Sequence, residues 1–426
     1  MHRHLKENRG KYAKLLKQKV TKNERDWILY DVGNSGYSLM LATILPIYFN
    51  HLAQQEHLSS AQYLAYWGYA TSLITLFVGF IGPIFGSIAD FQGMKKKLFI
   101  LFLTIGIVGC YALNLAHSWW LLLIVYVISK LGYSSSLIFY DAMLTDITTK
   151  ERYDNISSLG YAWGYIGSIV PFVLSIGLVL GRNAFHLSLT AAMILAFSIT
   201  ATWWLINSLP LLKVYEQKYY IPKQTAVLKN TFSRLKKTLK AIYHQKHIFY
   251  YLISFCLYID GVNTIISMAT AYGKALGLGD TDLLLALLVT QFVAFPATIV
   301  FARITKHFKT STLIYVCLFA YVGITLFAVT LVHPIQFWML AIFVGLFQGG
   351  IQGLSRSYFA GMIPASQSGE YFGILDVCGK GAAFLGTFLV SSVTQITNRE
   401  QMGLGVLIII FIAGLYFFHK SVKLKA

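Results

Sequence analysis

Ten charged or amide side chains stand in stretches otherwise too apolar to hold them: Asp31, Asn34, Lys130, Asp141, Asp260, Asn263, Gln348, Gln352, Asp376 and Lys380. A charge in hydrocarbon costs about 3 kcal/mol or more unless it is paired or wetted, so each is a candidate for binding, for holding a proton or for lining a wet path. Asp376 and Lys380 are at i,i+4, on one helical face, with the acid toward the N-terminus, the favourable order. The alternative for them is a local ion pair that only makes the helix insertable. Lys130 and Asp141 lie about 16 Å apart along one helix, so each needs a partner on another helix. Asp31-x-x-Asn34 recurs as Asp260-x-x-Asn263, but Asp31 is near the start of its apolar run and Asp260 about 18 Å of helix rise into its own. Repeat and accident both remain open. Gln348 and Gln352, in "GLFQGGIQG", offer neutral amides suited to hydrogen bonding in a cavity. Their neighbours Gly345, Gly349 and Gly353, like Gly160, Gly164 and Gly167, and Gly379, Gly381 and Gly386, read as close helix packing.

The elements that must hold these groups are long. The chain has 426 residues, is 56% hydrophobic and only 12% charged, and has a mean hydropathy of +0.60. Its apolar residues fall into twelve blocks, about 25–50, 61–89, 98–116, 118–147, 157–181, 184–207, 247–275, 281–305, 311–332, 335–364, 369–396 and 402–420. Each is about the length a helix needs to cross a bilayer, and none alternates as barrel strands do. With no water to satisfy the backbone, helices are the remaining solution. The expected fold is an all-α integral membrane protein of twelve transmembrane helices in two six-helix bundles.

The net charge of +18 invites a nucleic-acid reading, but its distribution argues for topology. With an even number of spans, thirty of the 35 Lys and Arg, Arg356 among them, sort to one side and three (Arg182, Lys274, Arg399) to the other. Lys130 and Lys380 lie within spans. The positive-inside rule puts the basic side, and both termini, in the cytoplasm of a cell-membrane protein. The first 26 residues are basic and lack an apolar h-region, so the first span is expected to serve as its own insertion signal. The chain divides into a basic segment 1–26, a bundle 27–207, a linker 208–246 and a bundle 247–426. In the linker, Leu228, Phe232, Leu235, Leu239 and Ile242 recur at helical spacing among Lys229, Arg234, Lys236, Lys237 and Lys240. That pattern suits an amphipathic helix on an anionic leaflet, the alternative being a solvated charged linker.

The four cysteines lie in spans without metal-ligand spacing, and no zincin, nucleophile-elbow or phosphate-loop motif is present. Neither an enzyme nor a cofactor nor a metal is expected. The predicted partners are a small solute, a coupling proton and membrane lipid.

A six-loop-six plan resembles the major facilitator superfamily, whose halves repeat around a midplane cavity. The turn after the second span, "GSIADFQGMKKK", is similar to that superfamily's Gly-x-x-x-Asp-x-x-Gly loop: Gly86, Asp90 and Gly93 match and Lys95 begins the basic run, while Phe91 and Met94 depart from it. The resemblance implies that Gly86, Asp90, Gly93 and Lys95 form a cytoplasmic gating motif. The corresponding "FARITKHFKTS" has Lys306 and Lys309 where Asp and Gly would be needed, so the second copy is degenerate. "WILYDVGNSGYS" (27–38), "FYDAMLTDI" (139–147), "SSLGYAWGYIGS" (157–168) and "YFGILDVCGKGAAFLG" (371–386) resemble the vacuolar-effluxer-like branch, which includes bacterial permeases and the fungal autophagy-related vacuolar amino-acid effluxer. The resemblance implies a secondary transporter working by alternating access, with amino-acid efflux as the first expectation. An exporter of a drug, peptide, sugar or organic ion, or a non-transporting sensor or scaffold of the same fold, are the alternatives.

Overall fold

The computed structural model describes residues 19–222, 227–275, 277–397 and 400–425. Most of the basic N-terminal segment, Lys223 and Arg399 lie outside the described residues, as do the side-chain placements of Leu228, Lys229, Lys274 and Gly381. The described residues form thirteen long α-helices. The first bundle holds α1 (Lys22–Gln55), α2 (Ser60–Ala89), α3 (Met94–Ala112), α4 (Trp119–Ile147), α5 (Tyr153–Leu180) and α6 (Leu189–Val214). A linker helix, α7 (Val227–His244), follows. The second bundle holds α8 (Lys246–Ala275), α9 (Asp280–Ile304), α10 (Thr310–Val329), α11 (Pro334–Ala360), α12 (Ser368–Thr397) and α13 (Glu400–Lys425).

The twelve long helices other than α7 correspond to the twelve apolar blocks. Among the described residues, ten of them carry a stretch long and apolar enough to cross a membrane by composition alone. The helix expected to end at 207 continues to Val214: Pro210 is accommodated inside it and Leu211 is fully buried.

Local chemistry sets the helix ends. Thr21 and Glu24 form a reciprocal capping box at the start of α1, and Ser59 and Gln62 one at α2. Gly93 (φ +73°) supplies the left-handed residue that turns α2 into α3. Within the first bundle α1 packs on α5 and α6; within the second, α8 packs on α13 and α9 on α11. Between bundles, α2 lies along α12 and α5 along α9 and α11. The linker, Lys95, Lys150 and Lys309 share one end of the molecule, the basic end.

Candidate functional site

A cavity of about 760 Å³ lies between the bundles. Asp31, Asn34, Asp141, Tyr161, Tyr165 and Arg356 line its basic-end floor and lower wall; Asn263, Gln291, Gln348, Gln352, Asp376 and Lys380 complete it from the second bundle. It extends along α1 to Pro46, about 22 Å of helix rise from Asp31.

The floor is an ion cluster that joins the halves. The Arg356 guanidinium, on α11, reaches Asp31 Oδ2 at 3.4 Å and Asp141 Oδ1 at 3.0 Å, and donates to Ser157 through Nε (2.8 Å to Oγ) and Nη2 (2.9 Å to the carbonyl). Trp27 and Tyr161 face its plane at 4.6 and 4.4 Å. Asn34 Nδ2 donates to the other Asp31 oxygen (3.2 Å) and to the Tyr30 carbonyl (3.0 Å). The carboxylates are positioned by rigid aromatic packing. Trp27 stacks on Tyr140 (4.4 Å), and each ring donates to the other residue's carbonyl at 3.1 Å. Gly160 lets α5 approach, since a Cβ there would meet Asp31 Oδ2 at 2.5 Å and Arg356 Nη2 at 3.0 Å.

Higher in the cavity, Lys380 Nζ is 2.5 Å from Asp376 Oδ1 and 3.3 Å from the Ser134 carbonyl on α4, so the i,i+4 pair also touches the opposite bundle. Tyr165 donates to Gln352 Oε1 at 2.7 Å, a second cross-bundle bond.

The structure thus brings eight of the ten intramembrane candidates onto one cavity. Lys130 and Asp260 are elsewhere. Lys130 lies over the Tyr133 ring (4.6 Å), one turn along its own helix, and does not line the cavity. Asp260 is buried against α12, where a Cβ on Gly386 would meet its carboxylate at 2.6 Å, with Thr264 at 3.5 Å. The Asp-x-x-Asn echo is therefore not repeated in geometry: Asn263 faces the cavity and Asp260 does not. Arg356, counted from sequence with the basic loops, is instead the centre of the floor. It lies four residues before the end of α11, and an arginine needs a carboxylate partner at that depth; that is the signal which could have found it. Tyr161 and Tyr165 lie in the family-like stretch 157–168, but no spacing marked them or Gln291 as cavity residues.

Below the floor the basic end is shut. Asp90 accepts the backbone N–H groups of Gly369 (2.8 Å) and Glu370 (3.1 Å) at the start of α12. A Cβ on Gly86 would fall inside contact distance of the Gly369 carbonyl, so the two backbones cross directly there. Lys95 Nζ bonds Asp146 (2.8 Å) and Ser368 Oγ (2.9 Å). The linker straps this turn: Ile221 N–H donates to the Asp90 carbonyl (2.8 Å), Gln92 N–H to that of Ile221 (3.1 Å), and the N–H groups of Lys218 and Tyr219 to Asp146. Burial pushes the Asp90 carboxyl up to about 7, against the pull of Lys95, the two N–H groups and Arg234. At the start of α1, burial works against charge on Glu24. The paired hydrogen bonds of Arg152 (2.7 Å each), with Thr148 and the Thr21 N–H, outweigh it and hold the carboxyl below its ordinary range.

Comparison with known proteins agrees with this architecture. The family described as "Vacuole effluxer Atg22 like" matches residues 58–425. The chain is 39% identical over 403 residues to "Uncharacterized MFS-type transporter YxiO" of Bacillus subtilis (strain 168), covering 93% of this chain and 94% of that one. It is 26% identical over 296 residues to "Autophagy-related protein 22" of Vanderwaltozyma polyspora, spanning only 56% of that protein's length. Among solved structures, the major facilitator superfamily transporter FucP in the outward conformation superposes with a TM-score of 0.69 at 14% identity, over 94% of this chain and 97% of that one. The proton:xylose symporter XylE does so with a TM-score of 0.72 at 12% identity, over 93% and 95%.

Proposed function

The chain belongs to the vacuole-effluxer Atg22-like family, a branch of the major facilitator superfamily, and we propose that it carries amino acids across the membrane by alternating access. The observation that supports this most is the inter-bundle cavity, lined by both signs of charge and closed beneath by contacts between the two halves. An amino acid is a zwitterion, and a dry cavity must answer both of its charges. Arg356 is shared by two carboxylates, so Asp31 and Asp141 carry one negative charge more than the guanidinium balances. That surplus suits the solute's ammonium group or a coupling proton. Lys380, held by Asp376, suits the solute's carboxylate, and Asn263, Gln291, Gln348 and Gln352 supply neutral hydrogen bonds.

By the positive-inside rule the basic end faces the cytoplasm, both termini with it. This state is shut at that end, and a transporter passes through it whichever way it runs; the family's description as vacuole effluxers supports efflux as the direction. Gly86, Asp90, Gly93 and Lys95 act as the gate.

The test is a binding screen of the purified protein against amino acids, peptides, sugars and organic cations, read as ligand-induced thermal stabilisation. The account expects amino acids to stabilise the wild type. The Lys380→Met, Asp376→Leu double variant, which removes a half-buried pair together rather than stranding one member, should fold and lose that stabilisation. Unchanged binding by the double variant would remove Lys380 from the site, and binding confined to another solute class would overturn the substrate assignment.

A further inference from the structure

The linker helix α7 has two working sides. One is seated on the protein: Thr231, Thr238 and Ile242 are buried, and Leu235 packs beside them. From this side Arg234 enters the gate. Its Nη2 is 3.0 Å from Glu370 Oε2 on α12 and 3.6 Å from Asp90 Oδ2 at the end of α2, its Nη1 donates to the Ser87 carbonyl at 3.2 Å, and its guanidinium faces the Phe91 ring. A single linker arginine therefore bridges the first bundle to the second at the closed end.

The other side is apolar and uncovered. Phe232, Leu239 and Tyr243 are 58%, 50% and 56% exposed. At 3.6 residues per turn they fall within about 40° of one another, with Lys236 and Lys240 along one border and Arg234 about 160° away. The stripe has a direction. Tyr243 meets Phe249, near the start of α8, at 5.7 Å, and Lys246 Nζ lies over both rings at 3.9 and 5.6 Å. The stripe thus runs on to the first turn of α8, a helix long and apolar enough to span a membrane. An exposed aromatic and leucine stripe bordered by lysines, continuous with a span, fits an anionic leaflet.

We propose that α7 couples the lipid surface to the gate: anionic headgroups hold the Phe232, Leu239 and Tyr243 stripe down, and the seated helix keeps Arg234 between Asp90 and Glu370, favouring the closed basic end. Lysine charge supplies the lipid selectivity and Arg234 supplies the transmission. The proposal rests on the basic end being a moving gate, and its test uses no transport readout.

The full chain is placed in nanodiscs of phosphatidylcholine with or without phosphatidylglycerol. A fluorophore on Leu239→Cys, in a background with Cys256 and Cys378 replaced by serine and the buried Cys110 and Cys317 retained, is quenched by brominated acyl chains. Spin labels on Gln92→Cys and Ser366→Cys, in the same background, report the gate distance. Phosphatidylglycerol should increase quenching at position 239 and raise the short-distance fraction several-fold. Lys236→Gln with Lys240→Gln should abolish both lipid effects. Arg234→Gln should keep the quenching and lose the short-distance fraction in either lipid. Absence of quenching, or quenching with a gate distance indifferent to lipid while Asp90→Ala shifts it, would overturn the coupling. One fixed distance in every variant, Asp90→Ala included, would overturn the moving gate on which it stands.

Discussion

Two contacts shut the basic end, and they are built from different materials. Along α2 and α12 the closest approach is backbone on backbone: Gly82 and Gly86 cross Gly373 and Gly369, and Asp90 caps two peptide N–H groups, with Lys95 and Arg234 adding side-chain bonds around them. Along α5, α9, α10 and α11 the lock is made of side chains. Ser157 donates to the Gly353 carbonyl (2.7 Å), Asn155 to that of Ala302 (3.1 Å), and Asp154 accepts from Ser357 and Thr310. The first uses the intact Gly86–Asp90–Gly93 turn. The second stands where the equivalent turn has Lys306 and Lys309, and the acid has moved to the opposing helix as Asp154. The second is tied to the cavity floor through Arg356 and Ser157, and the first through α12 itself, where Phe372, Leu375 and Asp376 flank Gly373 and line the cavity. On the proposed reading, a solute drawing on Asp31 or Asp141 acts first on the α5–α11 contact, and one drawing on Lys380 and Asp376 acts first on α12.

The comparison can be broken hardest at Arg356. Arg356→Met strands Asp31 and Asp141, and removing one member of a buried ion cluster costs about 3–5 kcal/mol. A drop in thermal stability of that size is expected, and it should largely disappear when Asp31→Asn and Asp141→Asn are added. A single variant as stable as the wild type would show that the cluster carries no load.

The glycine crossings should separate the locks next. Gly86→Ala sets a methyl against the Gly369 carbonyl, which as backbone cannot step aside, and overpacking of this kind costs about 1–3 kcal/mol. Gly353→Ala also meets backbone, Ser158 Cα, but at 3.0 Å, where a shift of a few tenths of an ångström suffices. In the Gln92–Ser366 distance measurement, Gly86→Ala should lose most of the closed population and Gly353→Ala little.

A smaller contrast is expected between the two acids. Asp90→Ala leaves two buried N–H groups without acceptors, about 1–3 kcal/mol against closure. Asp154→Ala frees two hydroxyls that can rotate to other acceptors, and should cost less than about 1 kcal/mol. Equal effects on the closed fraction would erase the distinction between a backbone lock and a side-chain lock.

A further contrast is pH. Asp90, faced by Lys95, Arg234 and Glu370, has its carboxyl raised from an ordinary 3.8 to about 7 by burial in the closed state. An acid with a raised value binds its proton more tightly in the closed state than when solvated. Closure should strengthen as pH falls from about 7 toward about 4 and weaken as pH rises through about 7. Asp90→Ala should flatten that slope in the same distance measurement.

These contrasts also mark where the sequence was readable. Twelve spans, the six-loop-six plan and the Asp90 turn follow from patterns with fixed spacing, because helix length and a short turn are local requirements. The pairing of Asp376 with Lys380 was visible for the same reason. Arg356 was not: it stood near a helix end among basic loops, and its partners lie 325 and 215 residues away. The differing fates of Asn263 and Asp260, three residues apart, depend on helix rotation against α12, which a twelve-helix pattern does not encode. Arg234 was legible as part of a basic helix, but its insertion between Asp90 and Glu370 required the linker's path.

The most direct test of the account is amino-acid counterflow into proteoliposomes by the wild type and by the triple variant Asp31→Asn, Asp141→Asn, Arg356→Met. The triple variant removes the whole floor cluster at once and should therefore remain folded. The account predicts saturable amino-acid exchange by the wild type and none by the folded triple variant. Wild-type protein that exchanges no amino acid, or a triple variant that exchanges as well as the wild type, would contradict it.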